Sequence, residues 1–339
     1  MLDNFYRAFE ERHRGSRELI TQRLEVYLPF IKPLLTHYPE AHALDLGCGR
    51  GEWMELLISA GFVVRGVDLD DGMLSVSRKL GLDVQKNDVL DALKSVDDCS
   101  LTVVSAFHLV EHIEFDRLRE LVAEAQRVLV PGGLLIMETP NPEHIIVAGC
   151  HFYLDPTHKR PIPPLLLSFV AEYAGFSQIK VVRLQESAVL HNPGYRVGLL
   201  DVLNGVSPDY AVVAQKSGGN EIIGCNVDAF QKEYGLSPGM LAARYAQPWY
   251  HSAAIRAKSK ITRLLHSMSR HITAHAQALG YLSHKLLHRG HYRLRVKLLL
   301  KYAARFFTRT SNLEQLTPHA RQIHADLKSA LTRRRKEKI

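Results

Sequence analysis

Ala43-Leu44-Asp45-Leu46-Gly47-Cys48-Gly49-Arg50-Gly51-Glu52-Trp53 is the stretch on which the fold turns. A short apolar run leads into three glycines at alternate positions, and a helical pattern, Trp53–Ala60, follows. Glycine lets a backbone turn tightly after a strand and approach a ligand closely. A G-x-G-x-G string alone is weak evidence, because glycine turns after strands are common. Its neighbours give it meaning. The next apolar run, Val63–Val67, ends at Asp68, 21 residues after Gly47, where a carboxylate can accept hydrogen bonds from both hydroxyls of a ribose. Asp88 follows Leu82-Asp83-Val84-Gln85 and is placed to meet an adenine amino group. The plainer alternative for each aspartate is a loop or helix cap.

Outward from this core, short apolar runs alternate with helical stretches: Ala43–Leu46, Val63–Val67, Leu101–Phe107, Leu134–Glu138, Ile179–Leu184 and Tyr210–Ala214 read as strands. The alternation predicts an α/β fold, a doubly wound, seven-stranded, mostly parallel sheet with helices on both faces and ligands outside the carboxyl ends of the strands. Residues 2–36 carry apolar positions at helical spacing, interrupted at Gly15-Ser16, and Ser16 is a candidate cap for a second helix. The expected division is a helical segment at 1–40, the α/β domain at 41–216, a linker at 217–250 and a basic helical extension at 251–339.

At the glycine loop and its two following aspartates the sequence resembles class I S-adenosylmethionine-dependent methyltransferases, from about Ala43 to about Lys216. Arg127-Val128-Leu129-Val130-Pro131-Gly132-Gly133 resembles the turn before the fifth strand of that family. The resemblance implies S-adenosylmethionine as cofactor. It carries cofactor-binding roles onto Asp45, Gly47, Gly49, Arg50, Gly51, Asp68, Leu69, Asp88 and Val89, with His108 near the cofactor. N-terminal helices close over the cofactor in many enzymes resembling this one, which makes Tyr6 and Arg14 candidates; a solvated amphipathic helix is the alternative.

Methyl transfer is an in-line displacement, so the protein must align the acceptor, exclude water and handle one proton. A sugar hydroxyl needs a general base, a metal that lowers its pKa, or both. Phe107-His108-Leu109-Val110-Glu111-His112 puts His108, Glu111 and His112 at i, i+3 and i+4, one face of a helix, where they can hold a divalent ion. His151-Phe152-Tyr153-Leu154-Asp155-Pro156-Thr157-His158-Lys159-Arg160-Pro161 suits a rigid loop over a site, with aromatics to stack on a sugar ring and Asp155 or His158 to take a proton. His158 is read as general base or fourth metal ligand, with His112 the second candidate for base; packed histidines and a capped connecting loop are the plainer alternatives.

The start Tyr-Arg-Ala-Phe-Glu, the glycine loop, Phe-His-Leu-Val-Glu-His, Glu-Thr-Pro-Asn-Pro-Glu and Phe-Tyr-Leu-Asp-Pro-Thr-His together resemble bacterial methyltransferases of surface-polysaccharide, O-antigen type biosynthesis. That resemblance implies O-methylation of a sugar, in some systems at the nonreducing terminus, and glycosyltransferase partners. The alternatives are a small-molecule or RNA methyltransferase, or a cofactor-binding scaffold that recruits glycosyltransferases.

The chain has 339 residues, 46% hydrophobic and 23% charged, with a net charge of +8 that conceals an asymmetry. Residues 251–339 hold 20 Lys and Arg against Glu314, Asp326 and Glu337, whereas the first 250 residues are net acidic. Within the extension Arg293, Lys297, Lys301, Arg305 and Arg309 recur every four residues beside Leu294, Leu298, Tyr302 and Phe306, the pattern of a basic amphipathic helix that meets an anionic membrane or a partner. A helix packed on its own domain is the alternative. The acidic body and the absence of a recognisable RNA-binding motif argue against nucleic acid. Neither a leader pattern nor an apolar run of about 20 residues is present, and the four scattered cysteines suit reduced thiols, so the expectation is the cytoplasm, with the tail at the inner face of its membrane.

Overall fold

The computed structural model describes residues 15–246; the segments 1–14 and 247–339, which include Tyr6, Arg14 and the basic extension, lie outside the described residues. Helix α1 (Arg17–Leu24) opens where expected, with Ser16 as its cap accepting from the Leu19 N–H at 3.3 Å. Single helical turns then carry the chain to Thr36 and bury Tyr27, Phe30, Ile31 and Leu34 completely. This segment is therefore core, contributing a whole apolar stripe to one face of the sheet.

The strands β1 (His42–Leu46), β2 (Val63–Asp68), β3 (Val84–Lys86), β4 (Leu101–Phe107), β5 (Leu129–Pro140), β6 (Phe176–Leu184) and β7 (Asp209–Lys216) form one sheet in the order β3-β2-β1-β4-β5-β7-β6. Only β7 runs antiparallel to its neighbours. The central strands are buried on both faces, which is why they read as continuous Val, Leu and Ile runs rather than as an alternation. Helices α2 (Glu52–Ala60), α3 (Asp71–Lys79), α4 (Val89–Lys94), α5 (Phe115–Val128) and α6 (Pro164–Tyr173) connect them. The strand order reverses between β1 and β4, and in such sheets the crevice outside the strands' carboxyl ends at that reversal is where ligands sit.

Three expectations change. The Pro131-Gly132-Gly133 turn is a bulge within β5: pairing with β4 slips between Leu101 and Val103, and Gly132 takes φ +75°. Strand β3, only three residues with one buried position, is too short for periodicity to show. The linker expected at 217–250 is folded onto the domain as far as residue 246. Short helices at Asn220–Gly224, Val227–Gln231 and Pro238–Ala246 bury Asn226, Ala229, Leu236 and Leu241, and Asn226 donates to the Phe30 carbonyl at 3.1 Å. Its Gly-Gly-Asn sequence looked like a spacer because its few apolar side chains serve a core built mostly by distant elements. Among the described residues no helix is long and apolar enough to cross a membrane.

Candidate active site

The glycine loop after β1 adopts the conformation that its composition permits. Gly47, Gly49 and Gly51 have φ values of +69°, +53° and +80°, in the left-handed region that side chains with a β-carbon avoid. Space is equally restrictive, since a β-carbon on Gly51 would stand 2.3 Å from Leu82 Cδ1. The loop's amides are tied inward: Gly47 and Cys48 donate to the Val67 carbonyl at 2.8 and 3.0 Å, and Gly49 donates to Asp68 Oδ2 at 2.9 Å. From the other side Ser77 Oγ donates to the Gly49 carbonyl at 2.9 Å. Cys48 is buried, and a β-carbon on Gly66 would meet it at 2.8 Å, so position 48 takes a small side chain for packing.

Beneath the loop a buried relay crosses the reversal point: Trp53 Nε1 donates to Ser105 Oγ at 3.0 Å, and Ser105 donates to Asp45 Oδ1 at 2.7 Å. Asp45 thus anchors the loop's root from inside, while Ser105 was hidden in the sequence within an apolar strand. Arg50 turns toward the N-terminal segment, its Nε 2.8 Å from Glu52 and its NH2 3.4 Å from the Gly15 carbonyl, and Arg17 clamps the Arg50 carbonyl at 2.9 Å. The Arg50 guanidinium is therefore committed to holding the loop.

At the end of β2, Asp68 is half-buried, with Oδ1 on the Asp70 amide at 2.8 Å and Oδ2 on Gly49. Two of a carboxylate's roughly four lone-pair directions remain, enough for two vicinal hydroxyls. Together with the bare glycine cradle this fits the ribose of S-adenosylmethionine. Leu69 beside it is exposed, as a residue covering a ligand's edge would be. Asp88 is different. Its Oδ1 caps α4 at the Leu90 and Asp91 amides, Arg117 binds both of its oxygens at 2.8 and 2.9 Å, and Val89 is buried in the core. Asp88→Ala is accordingly expected to remove a helix cap, costing about 1 kcal/mol and lowering Tm by about 2 to 4 °C. The same variant should weaken S-adenosylhomocysteine binding less than Asp68→Ala does; calorimetry and thermal melts check both.

The expected helical face at 108–112 does not form. His108 has φ +49°, and Val110–His112 is a single 3-10 turn, so the two histidines part to different neighbours while Glu111 stays within reach of both. His108 instead bridges two carboxylates, Nδ1 lying 3.3 Å from Glu111 and Nε2 3.4 Å from Glu138. Desolvation opposes the imidazolium, yet Glu111 and Glu138 outweigh that and hold its pKa well above the ordinary histidine value. Burial pushes Asp209, on β7 opposite Pro140, up to about 6, against the pull of His108. Tyr27 donates to Glu138, so the N-terminal segment reaches into this cluster. Glu138, Asp209 and Tyr27 were given no site role in the sequence; a charged residue closing the buried run Leu134–Met137 was the available signal.

His112 turns to the loop after β5 and meets His158, ring centroids 4.6 Å apart. Thr157 connects them to Asp155: its amide and hydroxyl donate to Asp155 Oδ1 at 2.8 and 2.6 Å, and its oxygen lies 2.9 Å from His112 Nδ1. Having given its only proton to the carboxylate, Thr157 must accept from His112, which puts the imidazole proton on Nδ1. His158 Nδ1 lies 2.6 Å from the Phe152 carbonyl, an acceptor only, so His158 also carries its proton there. A neutral ring with its proton so placed presents Nε2 as a lone pair. Burial depresses the His112 pKa, with Glu111 opposing and His158 reinforcing the shift, which favours the neutral ring. The loop itself is fixed by the Lys159 amide on the Glu111 carbonyl at 2.8 Å and by Phe152, which is fully buried. The structure thus brings His112, Asp155 and His158 together through Thr157, and separates His108 from them.

Known proteins resemble this chain in the same region. A family profile described as "Methyltransferase domain" matches residues 44–137. A crystal structure of a S-adenosylmethionine-dependent methyltransferase from Archaeoglobus fulgidus is 32% identical, aligns over 62% of this chain and 100% of its own, and has a TM-score of 0.56. Trans-aconitate 2-methyltransferase of Sinorhizobium medicae is 31% identical over 153 residues, 42% of this chain and 52% of that protein. Ubiquinone biosynthesis O-methyltransferase of Methylococcus capsulatus is 29% identical over 123 residues, 33% of this chain and 51% of that protein. The chain spans about half the length of the curated relatives it matches. With a match that covers the whole of the Archaeoglobus structure at 32% identity, and a glycine cradle followed by Asp68, the chain belongs to the S-adenosylmethionine-dependent methyltransferases.

Proposed function

We propose that this protein transfers a methyl group from S-adenosylmethionine to a hydroxyl oxygen, and that the hydroxyl belongs to a sugar of a bacterial surface polysaccharide. The observation that carries the O-methyl reading is the pair of imidazoles, His112 and His158, whose Nδ1 atoms are held by second partners and whose rings lie 4.6 Å apart in the segments that follow β4 and β5, the strands next to β1. S-adenosylmethionine supplies, when bound, an electrophilic methyl on sulfur. Asp68 and the glycine cradle position the ribose. His158 Nε2, with His112 as its neighbour, accepts the proton that the acceptor hydroxyl loses, and Asp155 holds both rings in orientation through Thr157 and its contact with His158. Lone-pair nitrogens held by second partners are what a base acting on a weakly acidic alcohol requires.

The sugar part of the proposal rests on the motif resemblance across residues 107–158 and on Tyr153, an exposed ring on the same loop, available to stack on a pyranose face. The profile match ends at residue 137, before this loop, and so bears on the cofactor half. Mass spectrometry of surface polysaccharide from wild-type cells and from cells lacking the protein tests the acceptor. A sugar methyl lost on deletion and restored by wild type but not by Asp68→Ala is the expected result. An unchanged polysaccharide overturns the glycan reading and turns attention to small hydroxylated metabolites.

A further inference from the structure

We infer that Glu111, His112 and His158 form a binding site for one borderline divalent cation of the zinc or cobalt kind. The use of that cation in acidifying the acceptor hydroxyl rests on the O-methyl reading above, with the ion in place of the His158 base because a ligating Nε2 has no lone pair left for a proton; the binding itself does not rest on that reading. Among the described residues these three side chains each offer a ligand atom, and the atoms lie within 4.8 Å of one another. Zinc ligands at about 2.0 to 2.2 Å stand about 3.4 Å apart in a tetrahedron, so small rotations of the two imidazoles close the set on an ion.

Two independent features point to a ligand. The first is the state of the nitrogens. A metal-ligating histidine characteristically donates its second N–H to a carbonyl or to a hydrogen-bonded oxygen, which fixes the tautomer and aims the lone pair. His158 does this to the Phe152 carbonyl and His112 does it to Thr157, which Asp155 in turn orients. The second is Glu111. It is completely buried; one oxygen accepts from Thr139 Oγ1 at 2.9 Å, and the other accepts no hydrogen bond. An unsatisfied carboxylate oxygen inside a protein is costly unless a positive charge meets it. His108 Nδ1 stands 3.3 Å from that same oxygen as an ion pair without a hydrogen bond and is shared with Glu138, while the ligand atoms of His112 and His158 come within 4.8 Å of the carboxylate. His108, with both nitrogens facing carboxylates, is not a ligand.

Two imidazoles and one carboxylate are the donors of borderline transition ions rather than of magnesium or calcium, which prefer oxygen throughout. Three protein ligands leave coordination positions open, the arrangement of sites that act on a bound oxygen.

Titration of the full-length, EDTA-stripped and dialysed chain with cobalt(II) tests the site, read by visible absorption and by metal content. One tightly held equivalent, displaced by zinc, is expected. His112→Ala and His158→Ala should each lose it, and Thr157→Val, which removes only the orienting partner, should weaken it roughly 10- to 100-fold. His191→Ala, an exposed histidine paired with Glu186, controls for binding by the chain's other histidines and should change nothing. Retained S-adenosylhomocysteine affinity and near-ultraviolet circular dichroism show that each variant is folded. No stoichiometric cobalt, or cobalt held equally well by the His112→Ala, His158→Ala double variant, overturns the site. Polysaccharide methylation that continues undiminished in the metal-stripped protein overturns the cation's catalytic use alone. Cobalt bound as described with no methylated glycan overturns the acceptor reading and leaves the site standing.

Discussion

Asp68→Ala is expected to weaken S-adenosylhomocysteine binding by about 100- to 10,000-fold, measured by calorimetry on the purified chain. Two ribose hydroxyls lose a charged acceptor, and hydrogen bonds to charged groups contribute about 1.5 to 3 kcal/mol each, which sums to about 3 to 6 kcal/mol and converts at 1.4 kcal/mol per decade. The substitution also frees the Gly49 and Asp70 amides that Asp68 holds at 2.9 and 2.8 Å. Part of the loss would then come from a glycine loop that must be ordered on binding rather than beforehand. Asp68→Asn separates the contributions, because the amide oxygen can still hold one backbone N–H while offering less to the ligand; it should fall between wild type and alanine. An Asp68→Ala affinity within threefold of wild type would remove Asp68 from the cofactor site. The comparison with Asp88→Ala sharpens the point, since Asp88 already spends its carboxylate on a helix cap and on Arg117.

The contrast between these two aspartates shows what a sequence discloses. Both follow a strand at the right interval, and their motif context is equally good. Asp68 leaves lone pairs free because its partners are two backbone amides of local loops; Asp88 does not, because Arg117 arrives from a helix 29 residues away. Local grammar, meaning glycine spacing, strand runs and the Ser16 cap, is readable because it depends on neighbours in the chain. The glycine loop, the parallel sheet and α1 were legible for that reason. What decided the rest was non-local. The i, i+3, i+4 spacing of His108, Glu111 and His112 presumes a helix, but here a left-handed residue and a 3-10 turn send His108 to β5 and His112 to the loop at 157–158. A positive φ at a non-glycine residue is strained, and it persists where surrounding contacts over-determine it, here the two carboxylates on His108. Residues 217–246 misled in the opposite direction: their composition suits a spacer, and only the presence of Phe30 and Gln215 beneath Asn226 makes them structural.

Removing the imidazoles should have the second large effect, and its form discriminates between mechanisms. His158→Ala is expected to lower kcat by about 100- to 10,000-fold, the usual contribution of a positioned proton acceptor, with S-adenosylhomocysteine affinity unchanged because neither ring belongs to the glycine cradle. His112→Ala should cost a comparable factor. If the two rings work independently, the double variant loses the product of the single factors; if they act as one unit, it loses little more than either single, as residues of a shared catalytic group do. The shared chain through Thr157 and Asp155, and the 4.6 Å separation of the rings, favour the second outcome. Asp155→Asn then serves as the test of positioning. It keeps an acceptor for the Thr157 hydroxyl but removes the charge, so a drop of roughly tenfold in kcat with unchanged KM would place Asp155 behind the reacting groups. A loss as large as that of His158→Ala would place it among them. Full multiplicativity of His112→Ala and His158→Ala would break the unit apart, leaving His158 as a lone base and His112 as a packed ring beside it.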